Sequence, residues 1–179
     1  MKAIHVTAYG DAREVLQVVD LEPPTAPGVG EVLIDMEYAP LNKHDLASIS
    51  GFLPVPPAPF VAGNEGTGVV AATGEGVTNV KPGDRVALPL LSGTWREQIV
   101  VPAVGMAALP EADPQQLAMI GSNPPTAALI LDKYADVPAG SYVVQNAANS
   151  GVGRSLIAIA APAASGPSTS RATRPPSRN

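Results

Sequence analysis

The chain has no cysteine, two histidines, one tryptophan and an aromatic share of 4%. Without cysteine there can be no disulfide, no thiolate zinc site, no Cys nucleophile and no Cys-ligated iron–sulfur cluster. Two histidines, His5 and His44, cannot supply a His-rich metal site by themselves. Charged residues make up 15% of the sequence, and acidic ones outnumber basic ones, which argues against a nucleic-acid partner. Apolar runs such as Leu156 to Ala164 fall well short of the ~20 residues of a membrane span. Met1 to Val6 lacks the apolar core of a signal peptide, so a cytoplasmic protein is expected.

What is present points to turns and strands. The 179 residues hold 17 Gly and 20 Pro with a 45% hydrophobic share, a globular composition rich in chain reversals. The −5 net charge is unevenly spread. All 16 acidic residues lie at or before Asp136, so residues 1–160 carry −8, while Arg171, Arg174 and Arg178 give residues 161–179 a charge of +3.

Lys2 to Thr7 and Glu31 to Tyr38 alternate apolar with polar side chains, with Val32, Ile34 and Met36 on one face. Val69 to Thr73, Arg85 to Leu88 and Trp95 to Val101 read as further strands between Gly- and Pro-rich turns. This spacing predicts a small β-barrel or sandwich. Asn42 to Ile49 is a short helix candidate with Asp45 near its start, and Gly51 to Pro59 is a proline-rich loop. After Val101 the texture changes. Asp113-Pro114 starts one helix and Asn123-Pro124-Pro125 a second, running to Tyr134. Ser141 to Gln145 reads as an apolar strand and Gly151 opens a third helix. The second half is thus the beginning of an α/β domain. Residues 161–179 have no periodicity and no large apolar side chain. They are expected to be disordered and non-native, following a truncation or frame shift near Ala161.

The local chemistry concentrates in Gln145-Asn146-Ala147-Ala148-Asn149-Ser150-Gly151-Val152-Gly153. A helix N-terminus offers unpaired N–H groups and a positive dipole end, suited to a phosphate. Gly151 and Gly153 permit close approach of backbone and ligand. A plain strand–helix turn and a dinucleotide site both fit, since GxGxxG spacing is absent. Glu65 reads as a structural carboxylate receiving backbone N–H bonds, Asp84 as a turn residue, Asp45 as a helix-start residue and His44 as a surface or hydrogen-bonded histidine. Trp95, Tyr134 and Tyr142 read as packing residues.

Gly63-Asn64-Glu65-Gly66-Thr67-Gly68, Val80-Lys81-Pro82-Gly83-Asp84-Arg85-Val86, Gly93-Thr94-Trp95 and the 146–153 turn resemble, in this order, the medium-chain dehydrogenase/reductase superfamily. Asn64 stands where zinc alcohol dehydrogenases have a ligand His, so the resemblance is to the zinc-free branch, with no metal. It is strongest to mitochondrial-type trans-2-enoyl-thioester reductases, with quinone oxidoreductases next. The implied architecture is mixed α/β: a GroES-like β-barrel domain over residues 1–112, the truncated start of a Rossmann domain over 113–160, and the tail. The implied reaction is hydride transfer from NADPH to an activated double bond, with an enoyl thioester or a quinone as small-molecule substrate; the alternative for so short a chain is a non-enzymatic GroES-like remnant. Full-length relatives are homodimers. The resemblance puts Asn42, Asn123, Thr126, Asn149, Ser150, Gly151, Val152 and Gly153 at the cofactor. Asn123 also reads as a helix N-cap. The catalytic residue is unassigned: the stretch matching the family's catalytic tyrosine carries Phe52, which cannot donate a proton. A ribose-selecting residue, ~20 positions past the glycine turn, would fall in the tail near Thr173. Without later strands, residues beyond about Asp113 should be marginally stable.

Overall fold

A computed structural model describes residues 1–53, 56–134, 138 and 141–163. The strands and helices follow in the order β1 (Lys2–Val6), α1 (Ala12–Val15), β2 (Leu16–Asp20), β3 (Glu31–Tyr38), α2 (Lys43–Ile49), β4 (Phe60–Val61), β5 (Thr67–Thr73), β6 (Arg85–Ala87), β7 (Gln98–Pro102), α3 (Pro114–Leu117), α4 (Asn123–Leu129), a π-helical turn (Ile130–Tyr134) and α5 (Gly151–Ala163). The chain divides into two units between Gly121 and Ser122.

In the first unit the strands form two antiparallel sheets, β2-β1-β4 and β6-β5-β3-β7. Alternation in β3 sets which face is buried. Val32 and Ile34 have no exposed surface, while Asp35 on the opposite face is exposed. Val32, Ile34, Val70, Val86, Ile99 and Val101 close one core cluster; Val6, Val15, Ile49 and Ala62 form another, with Trp95 packed against it. A bridge between Ala3 and Arg96 joins the sheets: Ile4 N–H donates to Trp95 O at 2.9 Å and Glu97 N–H to Lys2 O at 3.1 Å. This stitch brings the 94–97 segment beside β1 and β4.

Arg85 on β6 reaches across to Glu37 at the end of β3, its Nε 2.6 Å and its Nη2 3.0 Å from the two carboxylate oxygens. Such a forked pair holds both planar groups in register. Asp84, as expected of a turn residue, accepts from the Lys81 N–H at 3.0 Å.

In the second unit, α4 begins at Asn123 with Ser122 as its N-cap, so the cap lies one residue before the expected position. The helix then widens into the π turn, a form that occurs in short pieces. Ser141 to Gln145 forms no strand, contrary to expectation. A strand exists only through its ladder, and no described residue pairs with this segment. For the same reason Tyr142 does not pack: it is 86% exposed, and Val144 is 96% exposed. The helix α5 runs through Ala163, past the expected boundary at residue 161. The rest of the expected tail, including Arg171, Thr173, Arg174 and Arg178, and the side chain of Tyr134 lie outside the described residues. No described helix is long and apolar enough to cross a membrane.

Two predictions follow from the first unit. Ile34→Ala removes a fully buried side chain from a closed cluster and should destabilise this unit by about 2–5 kcal/mol, read from urea unfolding. The Arg85 fork holds Glu37 below its ordinary value of 4.5, hydrogen bonding outweighing desolvation. A carboxylate depressed in the folded state adds stability above its unfolded pKa and loses it as pH falls through the lower folded value. Glu37→Gln should therefore flatten the loss of stability below pH about 4.5, measured by unfolding at stepped pH.

Candidate functional site

The Gly63–Gly66 turn gathers most of the buried polar groups of the first unit. Gly63 has φ +102°, and a Cβ there would lie 2.5 Å from Thr94 Oγ1 and 2.7 Å from the Trp95 nitrogen. Only glycine allows the turn to close against the 93–95 segment. Its carbonyl accepts from the N–H groups of Gly93 and Thr94, at 3.0 and 3.2 Å.

Two buried side chains, Asp45 and Glu65, then tie this turn to the start of α2, and a third, Asn64, ties it to Leu91. Asp45, 2% exposed, accepts from Asn42 N–H at 2.7 Å through one oxygen and from Asn64 N–H at 3.0 Å through the other. Its position in the first turn of α2 also places it at the positive end of the helix. Glu65, 1% exposed, accepts from Asn42 Nδ2 at 2.7 Å, while its carbonyl accepts from Thr94 Oγ1 at 2.8 Å. Glu65 is thus a buried carboxylate, as expected, but a side-chain amide serves it. Asn64 Oδ1 and its backbone carbonyl both accept from Leu91 N–H, at 3.1 and 2.7 Å. Leu91 has φ +65°, a strained conformation for a leucine, and this double acceptor holds it there. The residue at the position of a zinc-ligand His is therefore occupied in fixing a loop. Among the described residues no cluster of three His, Asp or Glu side chains is arranged to hold a metal.

Asn42 is half-buried, with its amide committed to Glu65. Phe52 is 84% exposed and His44 is exposed. Tyr9, which sequence patterning did not single out, donates its hydroxyl to Pro56 O at 2.9 Å and lies beside Phe60. It braces the proline-rich loop. Arg96 was also missed; it borders a cleft of ≈ 210 Å³ beside Asn64. Its only sequence signal is that it is the first charge after the uncharged stretch from Val86 to Trp95, directly before Glu97.

In the second unit the 145–153 turn is built by short contacts. Ser150 Oγ accepts from Gly153 N–H at 3.1 Å, capping α5, and Gln145 Nε2 donates to Gly153 O at 3.1 Å. A Cβ on Gly153 would meet Ala147 O at 2.6 Å. A Cβ on Gly151 would fall 2.7–2.9 Å from the side-chain amide of Asn123. Both glycines thus make room for protein atoms: one for the turn backbone, the other for Asn123. The structure brings Asn123 together with the start of α5. The Asn123 side chain is buried, and its Nδ2 has no acceptor among the described residues. Asn149 is exposed and Val152 half-buried. Thr126 is exposed, its hydroxyl bonded back to Ser122 O at 2.8 Å.

Residues 28–111 match the alcohol dehydrogenase GroES-like domain family. The human mitochondrial enoyl-[acyl-carrier-protein] reductase is 39% identical over 167 residues, 90% of this chain and 44% of that protein. Among solved structures, the Escherichia coli quinone oxidoreductase complexed with NADPH superposes with a TM-score of 0.80 at 27% identity, over 90% of this chain and 50% of that one. A Pseudomonas syringae quinone oxidoreductase gives 0.70 at 35% identity, over 85% and 47%. The chain spans about half the length of the relatives it matches. It carries a GroES-like domain of the alcohol dehydrogenase type. Over most of its length the chain is similar to enoyl reductases and quinone oxidoreductases.

The Asp45 bridge carries a stability prediction. Asp45→Ala leaves the buried Asn64 N–H without its acceptor and removes the Asp45 half of the capping box at the start of α2. The first unit should lose about 1–3 kcal/mol, measured by urea unfolding.

Proposed function

We propose that this chain is the amino-terminal part of an NADPH-dependent reductase that transfers hydride to the activated double bond of a 2-enoyl thioester. In this reading residues 1–112 are the catalytic-type domain and 113–160 the start of the cofactor-binding domain. The observation that carries it is the buried, unpaired Asn123 Nδ2 at the N-terminus of α5. A buried amide donor without a partner costs stability unless something else accepts its hydrogen bond.

The residues fit a dinucleotide. Asn123 would donate to the nicotinamide side of the cofactor, locked in place by its packing on Gly151. The first-turn N–H groups of α5, contributed by Gly151 and Val152, and the positive helix end would receive the pyrophosphate. Asn149 and Ser150 flank that position, and the Ser150 cap preorganises the turn. Thr126 lies one helical turn beyond Asn123, and Asn42 is held by Glu65. The bound nicotinamide supplies the hydride. The choice of NADPH follows the ligand of the E. coli quinone oxidoreductase.

A specific observation favours the quinone as second substrate class. Phe52 fills the stretch matching the family's tyrosine, has no proton to give, and faces solvent. An electron-poor quinone needs less acid assistance than an enoyl thioester.

The test is titration of the purified chain with NADPH, followed by cofactor fluorescence. Saturable binding supports the reading; no binding at millimolar cofactor overturns it. Asn123→Ala should weaken binding by about 2–10-fold, the loss of one or two hydrogen bonds, with Thr126→Ala nearer to wild type. A thioester and a quinone, compared as acceptors for NADPH oxidation, separate the two substrate classes.

A further inference from the structure

Among the described residues, the paired basic residues of the first unit leave one half-buried exception. Lys2 pairs with Asp20, Arg13 with Asp11, Lys81 with Asp84 and Arg85 with Glu37. Lys43 is exposed to water. Arg96 is half-buried, and no carboxylate among the described residues lies within ion-pair distance. Its Nε donates to Gly93 O at 2.8 Å, which orients the guanidinium, while its terminal nitrogens have no acceptor among the described residues. Burial pushes this guanidinium below its ordinary range, the direction expected when lost water is not replaced by a counter-ion. Gly93 is shaped for this arrangement: a Cβ there would lie 2.8 Å from Arg96 Nη2.

The cleft of ≈ 210 Å³ that Arg96 borders is apolar at Ile49, Phe60 and Leu91. Its hydroxyl groups are already committed, Ser48 Oγ to His44 O and Ser92 Oγ to Pro89 O. Asp45 also lies in the wall, but both its oxygens are held by backbone N–H groups. Asn64 turns its Oδ1 to Leu91 N–H, leaving Nδ2 as a further donor beside Arg96. A site whose spare groups are a guanidinium fork and an amide donor, set against an apolar wall, selects an anionic acceptor with a short hydrocarbon body.

We propose that this cleft binds a small organic carboxylate, its oxygens on Arg96 and Asn64 Nδ2 and its chain against Ile49, Phe60 and Leu91. A cavity of about 150 Å³ holds benzene, so this one suits a body of about four to six carbons. Every residue named belongs to the first unit, so the proposal stands or falls apart from the NADPH reading.

The experiment uses the full chain and its single tryptophan, Trp95, adjacent to Arg96. Crotonate and its neutral isostere crotonamide are titrated against wild type, Arg96→Gln and Arg96→Lys, following Trp95 fluorescence and ligand saturation-transfer NMR. We expect saturable binding of crotonate, crotonamide weaker by about tenfold or more, and crotonate weakened by a similar factor in Arg96→Gln. Arg96→Lys should fall between, since it keeps the charge and loses the fork. Equal affinity for the two probes, no crotonate binding to wild type, or unchanged crotonate binding in Arg96→Gln would each overturn the proposal. If circular dichroism shows that Arg96→Gln does not fold, the wild-type preference and the Arg96→Lys weakening decide.

Discussion

The first unit depends on a buried polar knot, in which Asp45 accepts from both Asn42 and Asn64 backbone N–H groups beside the buried Glu65. Two nearly inaccessible carboxylates within one small unit are costly unless donors serve them. Here directed donors serve both oxygens of Asp45 and Oε1 of Glu65, and those donors come from two separate parts of the chain. The knot therefore orders α2 relative to the 63–66 turn more sharply than apolar packing could. It also fixes, through Asn64, the strained Leu91 backbone, and with it the rim of the cleft at Arg96.

The same economy appears in the second unit with different materials. Among the described residues no carboxylate is used there; close packing does the positioning. Asn123 rests on Gly151 because any side chain there would collide with its amide, and Gly153 lets the turn backbone cross at contact distance. The glycines of a phosphate-binding turn are usually understood through their access to ligand. In this chain their first service is to protein atoms: the turn backbone at Gly153 and the Asn123 amide at Gly151.

Much of the barrel could be read from the sequence. Alternation placed Val32 and Ile34 inside, and the Pro-Gly-Asp turn placed Asp84. Other features could not be read, for identifiable reasons. Whether Ser141 to Gln145 forms a strand depends on a neighbour to pair with, which local pattern does not reveal. The cap of α4 is Ser122, and the Asn123 side chain lies instead against Gly151, twenty-eight residues on, a contact that local pattern does not reveal. Tyr9 gave no signal because its partners, Pro56 and Phe60, lie far along the chain.

By itself the sequence determined the absence of thiolate chemistry, the alternating strands, the turn glycines and the family resemblance, all of which rest on residue identity or short-range periodicity. Tertiary structure decided which polar groups are satisfied and which are left over. Asn42 became the partner of Glu65, while among the described residues Asn123 kept a spare buried donor and Arg96 a half-buried charge without a counter-ion. Hydrogen bonding and charge pairing are settled among groups distant in sequence, so what remains unpaired, and hence what can bind, is a property of the folded chain.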